Sequence, residues 1–203
     1  NCRETVTGNI TSATTWRNGP EECDYYVPAS ESATSRRNLM VTAQLNVEPG
    51  TVLVFGEDVR VSVTDGGSIV AVGSAEQPIT LTGAQATHGY WHGLCFGDNR
   101  ESRLDYVRVQ WAGAAWTGGH SLCNGAVAGM AGDGHEPVHI TNSLLYGART
   151  SGLSAHGLRL GEFRNNVLAN NQEYGARVSS ANVSRLGDGD YSGASLGEPN
   201  GLQ

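Results

Sequence analysis

Two stretches of this chain repeat one another at a spacing of 23 residues, and that spacing constrains the fold more than any other feature. Ile140-Thr-Asn-Ser-Leu-Leu aligns with Phe163-Arg-Asn-Asn-Val-Leu, so that Ile140 falls on Phe163, Asn142 on Asn165, Leu144 on Val167 and Leu145 on Leu168. The earlier segment Leu104-Asp-Tyr-Val-Arg-Val has the same shape and is followed by a longer excursion before Gly125-Ala-Val. A self-similar unit of this length is too short for most helical-hairpin repeats. The apolar positions come as short alternating runs, among them Val52-Leu-Val-Phe55, Val59-Arg-Val-Ser-Val63, Ile69-Val-Ala-Val72 and Ile79-Thr-Leu81, separated by Gly, Asn and Asp. That is the pattern of strands joined by turns. A unit of short strands cannot bury its own inner face, whereas stacked units bury it against each other. The chain is therefore expected to be all-β, a right-handed parallel β-helix. The in-register pair Asn142 and Asn165 is expected to point inward and hydrogen-bond along the stack, as amide ladders do in cross-β packing.

Composition narrows the class. With 28 glycines, 6 prolines and 38% hydrophobic residues among 203, the chain is neither collagen-like nor disordered. A formal charge of −7 supplies no basic footprint for nucleic acid, and no apolar run is long enough for membrane insertion. All 13 basic residues are arginine, so lysine chemistry is excluded. The cysteines Cys2, Cys23, Cys95 and Cys123 form no CxxC pair and read as disulfides of an oxidising compartment. Of the three possible pairings, the near-neighbour one, Cys2–Cys23 with Cys95–Cys123, is favoured. The chain opens at Asn1 without a charged and apolar leader, which fits a mature secreted protein. Asn9-Ile-Thr11 and Asn182-Val-Ser184 are glycosylation sequons that matter only in a host that uses them.

Three motifs occur in order: the threonine-rich Asn9-Ile-Thr-Ser-Ala-Thr-Thr-Trp16, then Leu45-Asn-Val-Glu-Pro-Gly-Thr51, then Gly67-Ser-Ile-Val-Ala-Val-Gly-Ser-Ala-Glu-Gln-Pro-Ile-Thr-Leu81. They resemble the opening of bacterial secreted parallel β-helix repeat proteins, in which an "IEPGT" turn leads to an "A-x-G-T-x-x-x-P-I-x-F" coil. Trp91-His-Gly-Leu-Cys-Phe96 resembles the tryptophan-glycine strand that follows there. The resemblance covers roughly residues 5 to 110 and implies fold and an extracellular or cell-surface location. It implies little about activity, because the superfold carries adhesins and relatives of polysaccharide lyases alike.

The expected organisation is an irregular, disulfide-tied N-terminal cap over residues 1–40 and coils over 41–186, with an insertion at about 111–137. A tail over 187–203 would lead into further coils or onto a partner subunit, since an uncovered end offers unpaired strand edges. The Gly- and Ala-rich insertion carries the candidate ligand-binding residues Trp111, Trp116, His120, Asp133 and His135. Exposed rings there would stack on sugars while polar neighbours bind hydroxyls. Trp91 and Tyr106 read instead as core or corner residues. Catalytic residues do not stand out. Arg108 and Arg177 read as solvated outward arginines, and the acids Glu57/Asp58, Asp98/Glu101 and Asp188/Asp190 are scattered. Asp188-Gly-Asp190 is half of a calcium-loop pattern and reads as a turn, so no cofactor is expected and Ca²⁺ is the one ion worth testing. The six histidines match no metal-site spacing.

Three functions are compatible with this reading. The first is an extracellular structural or glycan-binding module without catalysis. The second is a polysaccharide lyase or glycoside hydrolase with its site beside the insertion. The third is a subunit that self-associates end to end. The expected partner is a glycan or cell-surface polysaccharide.

Overall fold

The structure, a computed structural model, describes residues 2–31, 35–115, 123–130 and 135–187, with the backbone alone at Gly189–Asp190. The strands follow one another in threes. After β1 (Glu4–Thr5), the first coil is β2 (Thr14–Trp16), β3 (Tyr25–Val27) and β4 (Asn38–Val41). The second is β5 (Gln44–Val47), β6 (Val52–Phe55) and β7 (Arg60–Val63), and the third β8 (Ser68–Val72), β9 (Ile79–Gly83) and β10 (Gly93–Phe96). The fourth is β11 (Ser102–Asp105), β12 (Val107–Gln110) and β13 (Val127–Gly129). The fifth is β14 (Val138–Thr141), β15 (Leu144–Tyr146) and β16 (Ser151–Ala155). The sixth is β17 (Leu160–Arg164), β18 (Asn166–Ala169) and β19 (Tyr174–Val178), followed by the short helix α1 (Ser180–Val183) and β20 (Gly189–Asp190).

Each strand pairs in parallel with its counterpart one coil away, giving three sheets. Sheet A has the order β1-β3-β6-β9-β12-β15-β18-β20, sheet B β19-β16-β13-β10-β7-β4, and sheet C β17-β14-β11-β8-β5-β2. This is a parallel β-helix, as the repeat implies. Ile140 stands opposite Phe163, and Leu144 and Leu145 stand opposite Val167 and Leu168.

The interior is built of columns, one residue per coil. In sheet A, Tyr25, Leu53, Leu81, Val109, Leu145 and Leu168 stack in register. In sheet B the column is Leu39, Val61, Leu94, Val127, Leu153 and Ala176. In sheet C it is Trp16, Val47, Ala71, Leu104, Ile140 and Phe163. All of these side chains are buried, and the period-2 alternation of each strand puts the residues between them outside.

Stacking begins inside the segment expected as a cap. Residues 1–40 carry β1 to β3 and most of β4, and the disulfide Cys2–Cys23 ties them together. The segment thus contributes strands to all three sheets. The expected insertion at 111–137 is likewise divided, because β13 lies within it, pairing with β10 and β16 and leaving one loop on either side. The backbone of β20 pairs with β18, so the stack extends past residue 186.

The asparagines behave differently from expectation. Asn142 and Asn165 do form a rung, with Asn165 Nδ2 donating to Asn142 Oδ1 at 3.1 Å and Asn142 Nδ2 to Asp105 Oδ1 at 2.8 Å. They sit outside the corner, not in the core: Asn165 is exposed and Asn142 half-buried. The inward amides are Asn166, Asn171 and Asn182, one at each corner of the last full coil, all buried. Asn166 Oδ1 accepts from Ser143 N at 3.0 Å while its Nδ2 donates to Ile140 O at 2.8 Å. Asn171 does the same with Ala148 N and Leu145 O, at 2.9 and 3.2 Å. Asn182 accepts from Leu160 N at 3.3 Å and donates to Ala155 O and Leu158 O, each at 2.8 Å. Each amide thus satisfies turn backbone of the coil beneath it. Replacing Asn166 by Ala strands a buried N–H and C=O, at a cost of about 1–3 kcal/mol. Thermal unfolding followed by circular dichroism should show the midpoint lowered by several degrees, at roughly 2–4 °C per kcal/mol; an unchanged midpoint would remove the corner amides from the account of stability.

Candidate binding surface

The three outer faces differ in what they leave open. Sheet B is covered: β10, β13 and β16 are buried at every position. Cys95, outward on β10, is joined to Cys123, and Ala128 and Met130 pack around the bridge. Sheet C is polar. His139 Nε2 lies 3.4 Å from Glu101 Oε1, and His139 Nδ1 accepts the Glu162 N–H at 3.0 Å, which leaves the ring proton on Nε2. A register shift between Val138 and Ile140 bulges β17 at this point, and Glu162 pairs with Arg164 at 2.5 Å. Among the described residues no group of three His, Cys, Asp or Glu side chains is placed to hold a metal ion.

Sheet A is the open face. From the third coil to the sixth its outward residues include Thr80 and Thr82 on β9, Arg108 and Gln110 on β12, Leu144 and Tyr146 on β15, and Val167 on β18, none of them fully buried. Both borders of this face turn through left-handed residues. At the border with sheet C, Tyr106, Asn142 and Asn165 have φ of 50, 50 and 56° in successive coils. At the border with sheet B, Trp111, Gly147 and Asn170 have φ of 60, 71 and 52°. Asparagine and glycine enter this region readily, whereas a bulky aromatic does so only when its surroundings force it. Tyr106 and Trp111 therefore bracket β12 as two strained aromatics.

Trp111 is half-buried and held by neighbours from the coil before it and the coil after it. Its ring meets Tyr146 edge-to-face at 5.2 Å between centroids and His88 at 5.5 Å. His88 Nε2 in turn lies 2.9 Å from Asn170 O, on the coil beyond Tyr146. Gly147 supplies the space, because a Cβ there would stand 2.6 Å from Trp111 Cε3. At the opposite border a groove of about 250 Å³ is lined by Pro78, Arg108, Asn142, Leu144, Asn165 and Val167, among others.

The residues singled out in the sequence divide accordingly. Trp91 is core: fully buried, stacked on Phe55 at 4.0 Å, with Nε1 donating to Gln110 O. Trp111 is at the surface. His135 reaches Gly97 O through Nδ1 at the far end of the sheet B strands, on the side away from Trp111. Trp116, His120 and Asp133 lie outside the described residues. His88, Tyr146 and the groove residues Leu144 and Val167 complete the face. Their spacing in the repeat carried the signal for the last two, since it places Leu144 over Val167.

The loop after Trp111 is anchored from within. Ala114 N donates to Trp91 O at 3.1 Å, and His92 Nδ1 lies 3.1 Å from Ala114 O. His92 is buried, with Nε2 3.5 Å from Asp58 Oδ1. Burial holds its imidazole below the ordinary histidine range; Arg36 and Arg60 act in the same direction, and the Ala114 carbonyl and Asp58 oppose. The ring is thus a neutral fixture at neutral pH.

Compared with known proteins, the chain matches no family model, no curated protein and no solved structure. The fold rests on the strand register itself.

The Gly147→Ala substitution should displace the Trp111 ring, because the added methyl occupies its place and φ of 71° resists any side chain. Tryptophan emission should shift to the red and quench more readily with iodide, with the β-sheet circular dichroism retained. Unchanged emission would mean that Trp111 does not rest on Gly147.

Proposed function

We propose that the chain is an extracellular, non-catalytic β-helix module that binds carbohydrate on the outer face of sheet A. Trp111 carries the reading. A half-buried indole held in a strained backbone conformation between Tyr146 and His88 is a rigid apolar plate at the edge of the open face. Such a plate suits the C–H face of a sugar ring, while Gln110 and the threonines of β9 can bind hydroxyls. Strain kept at a surface aromatic is a feature of ligand sites more than of scaffolding.

The extracellular part of the proposal is supported by the disulfides Cys2–Cys23 and Cys95–Cys123, a kind of bridge that persists in oxidising surroundings, and by the resemblance to secreted β-helix proteins. No helix among the described residues is long and apolar enough to cross a membrane. The non-catalytic part of the proposal rests on the sequence, in which the acidic residues are scattered and no acid–base pair stands out. On the face, the outward positions of β9, β12, β15 and β18 carry one charged side chain, Arg108, with Asp105 beside them at the corner.

An array of neutral and acidic polysaccharides, probed with and without calcium, tests the reading. Binding should be found for at least one neutral glycan, weaken roughly tenfold in Trp111→Ala, the equivalent of about 1.4 kcal/mol, and release no shorter fragments. Cleavage of any glycan, or binding indifferent to Trp111→Ala, would overturn it.

A further inference from the structure

The groove at the border of sheets C and A is long in one direction only. Its walls come from four successive coils: Pro78 from the third, Arg108 from the fourth, Asn142 and Leu144 from the fifth, Asn165 and Val167 from the sixth. Coils stack at about 4.8 Å, so the groove runs roughly 14 Å along the solenoid axis. Along the strands it covers only residues 106–108 and 142–144, about 7 Å. We propose that this groove holds a linear, neutral polysaccharide lying parallel to the solenoid axis, across the strands, with successive sugars on successive coils. The proposal rests on the carbohydrate-binding reading above and adds a second subsite, at the border opposite Trp111, together with the direction and minimum length of the chain.

The chemistry of the lining selects this ligand. Leu144 and Val167 are register partners and form an apolar floor one coil apart. Beside them runs the rung of Asp105, Asn142 and Asn165, in which each asparagine donates one amide N–H to the coil before it. A carboxamide has two such hydrogens and an oxygen with two lone pairs, so the rung keeps hydroxyl-binding capacity at a one-coil repeat. A pyranose unit is close to one coil in height, which puts each sugar's apolar face over one floor residue and its hydroxyls at one amide.

Other linear polymers fit less well. An extended peptide binds sheets by pairing with an open strand edge, and β12 and β15 are paired on both sides. It would have to cross the strands without a single backbone ladder. Nucleic acid needs many cations, while the groove has Arg108 alone on a chain of charge −7. A polyanionic glycan meets the same shortage.

Isothermal titration with β-1,4- and β-1,3-linked gluco-oligosaccharides of two to six units tests the proposal. For one linkage series the affinity should rise tenfold or more between two and four units and then level off. Leu144→Arg, which fills the floor from an outward position, should abolish that rise and leave disaccharide binding intact; Trp111→Ala should weaken the disaccharide and keep the rise. Circular dichroism of both variants controls for folding. Binding that is sensitive to Trp111 with no length dependence, or a length dependence that survives Leu144→Arg, would overturn the groove and leave the carbohydrate-binding module standing. No binding of any saccharide to the unaltered chain would overturn the module reading and the groove with it.

Discussion

Every coil of this protein must turn three times, and each turn takes backbone N–H and C=O groups out of the sheet ladders, some of them on the buried inner side of the corner. Those groups need partners, and no regular ladder supplies them. The solution in the sixth coil is a buried carboxamide at each corner, Asn166, Asn171 and Asn182, which accepts from one backbone N–H and donates to one or two carbonyls of the coil beneath. Ser143 and Ser102 serve lower corners in the same manner, accepting from Val107 N and Ile69 N. These contacts are specific to register: a slip of one residue would turn every column of core side chains outward. Hydrophobic columns supply most of the driving force for stacking, and the corner amides fix which residue stands on which.

The same corners decide where function can reside. A left-handed residue makes the bend at each border of sheet A in three coils running. Such sharp corners leave a nearly flat face with well-defined margins, in contrast to sheet B, whose outside carries the Cys95–Cys123 bridge, and sheet C, where charged side chains pair among themselves. At both margins of β12 the left-handed place is taken by an aromatic, Tyr106 and Trp111, where its neighbours in the column are Asn or Gly. A locally unfavourable residue in an otherwise consistent repeat is the kind of departure that marks a site.

The architecture was legible in the sequence because the signal for it is a period. Ile140 and Phe163 share a column, as their spacing requires, and so do the other matched pairs. The period could not say which way Asn142 and Asn165 face. They occupy a one-residue corner, and a left-handed residue between two strands resets the in-out alternation, so that Asn166, one place later, is the inward amide. The threonine-rich motif marks a first strand ending at Trp16, but the rest of the first coil is not legible, because Thr14-Thr15-Trp16 and Tyr25-Tyr26-Val27 are three-residue strands at irregular spacing in a polar segment. Strand β13 was only half visible: Gly125-Ala-Val marks where the repeat resumes, but Val127-Ala-Gly129 has too little hydrophobic contrast with the Gly- and Ala-rich sequence around it to stand out from the insertion. At the candidate site, the sequence singled out Trp111. It could not assemble His88, Tyr146 and Trp111, which come from three different coils and meet only through stacking.

Cross-linking across the outside of sheet C tests the stacking register most directly, away from either proposed subsite. Val70 stands opposite Arg103, and Arg103 opposite His139. In a parallel pair these Cα atoms are about one strand spacing apart, within reach of a disulfide, whereas two coils are beyond it. Peptide mapping of the oxidised double variants should therefore find a Val70→Cys/Arg103→Cys bridge formed in high yield beside the two native disulfides, and little or none in Val70→Cys/His139→Cys. A bridge in the second pair and not in the first would contradict the coil assignment on which the fold, the open face and the groove all stand.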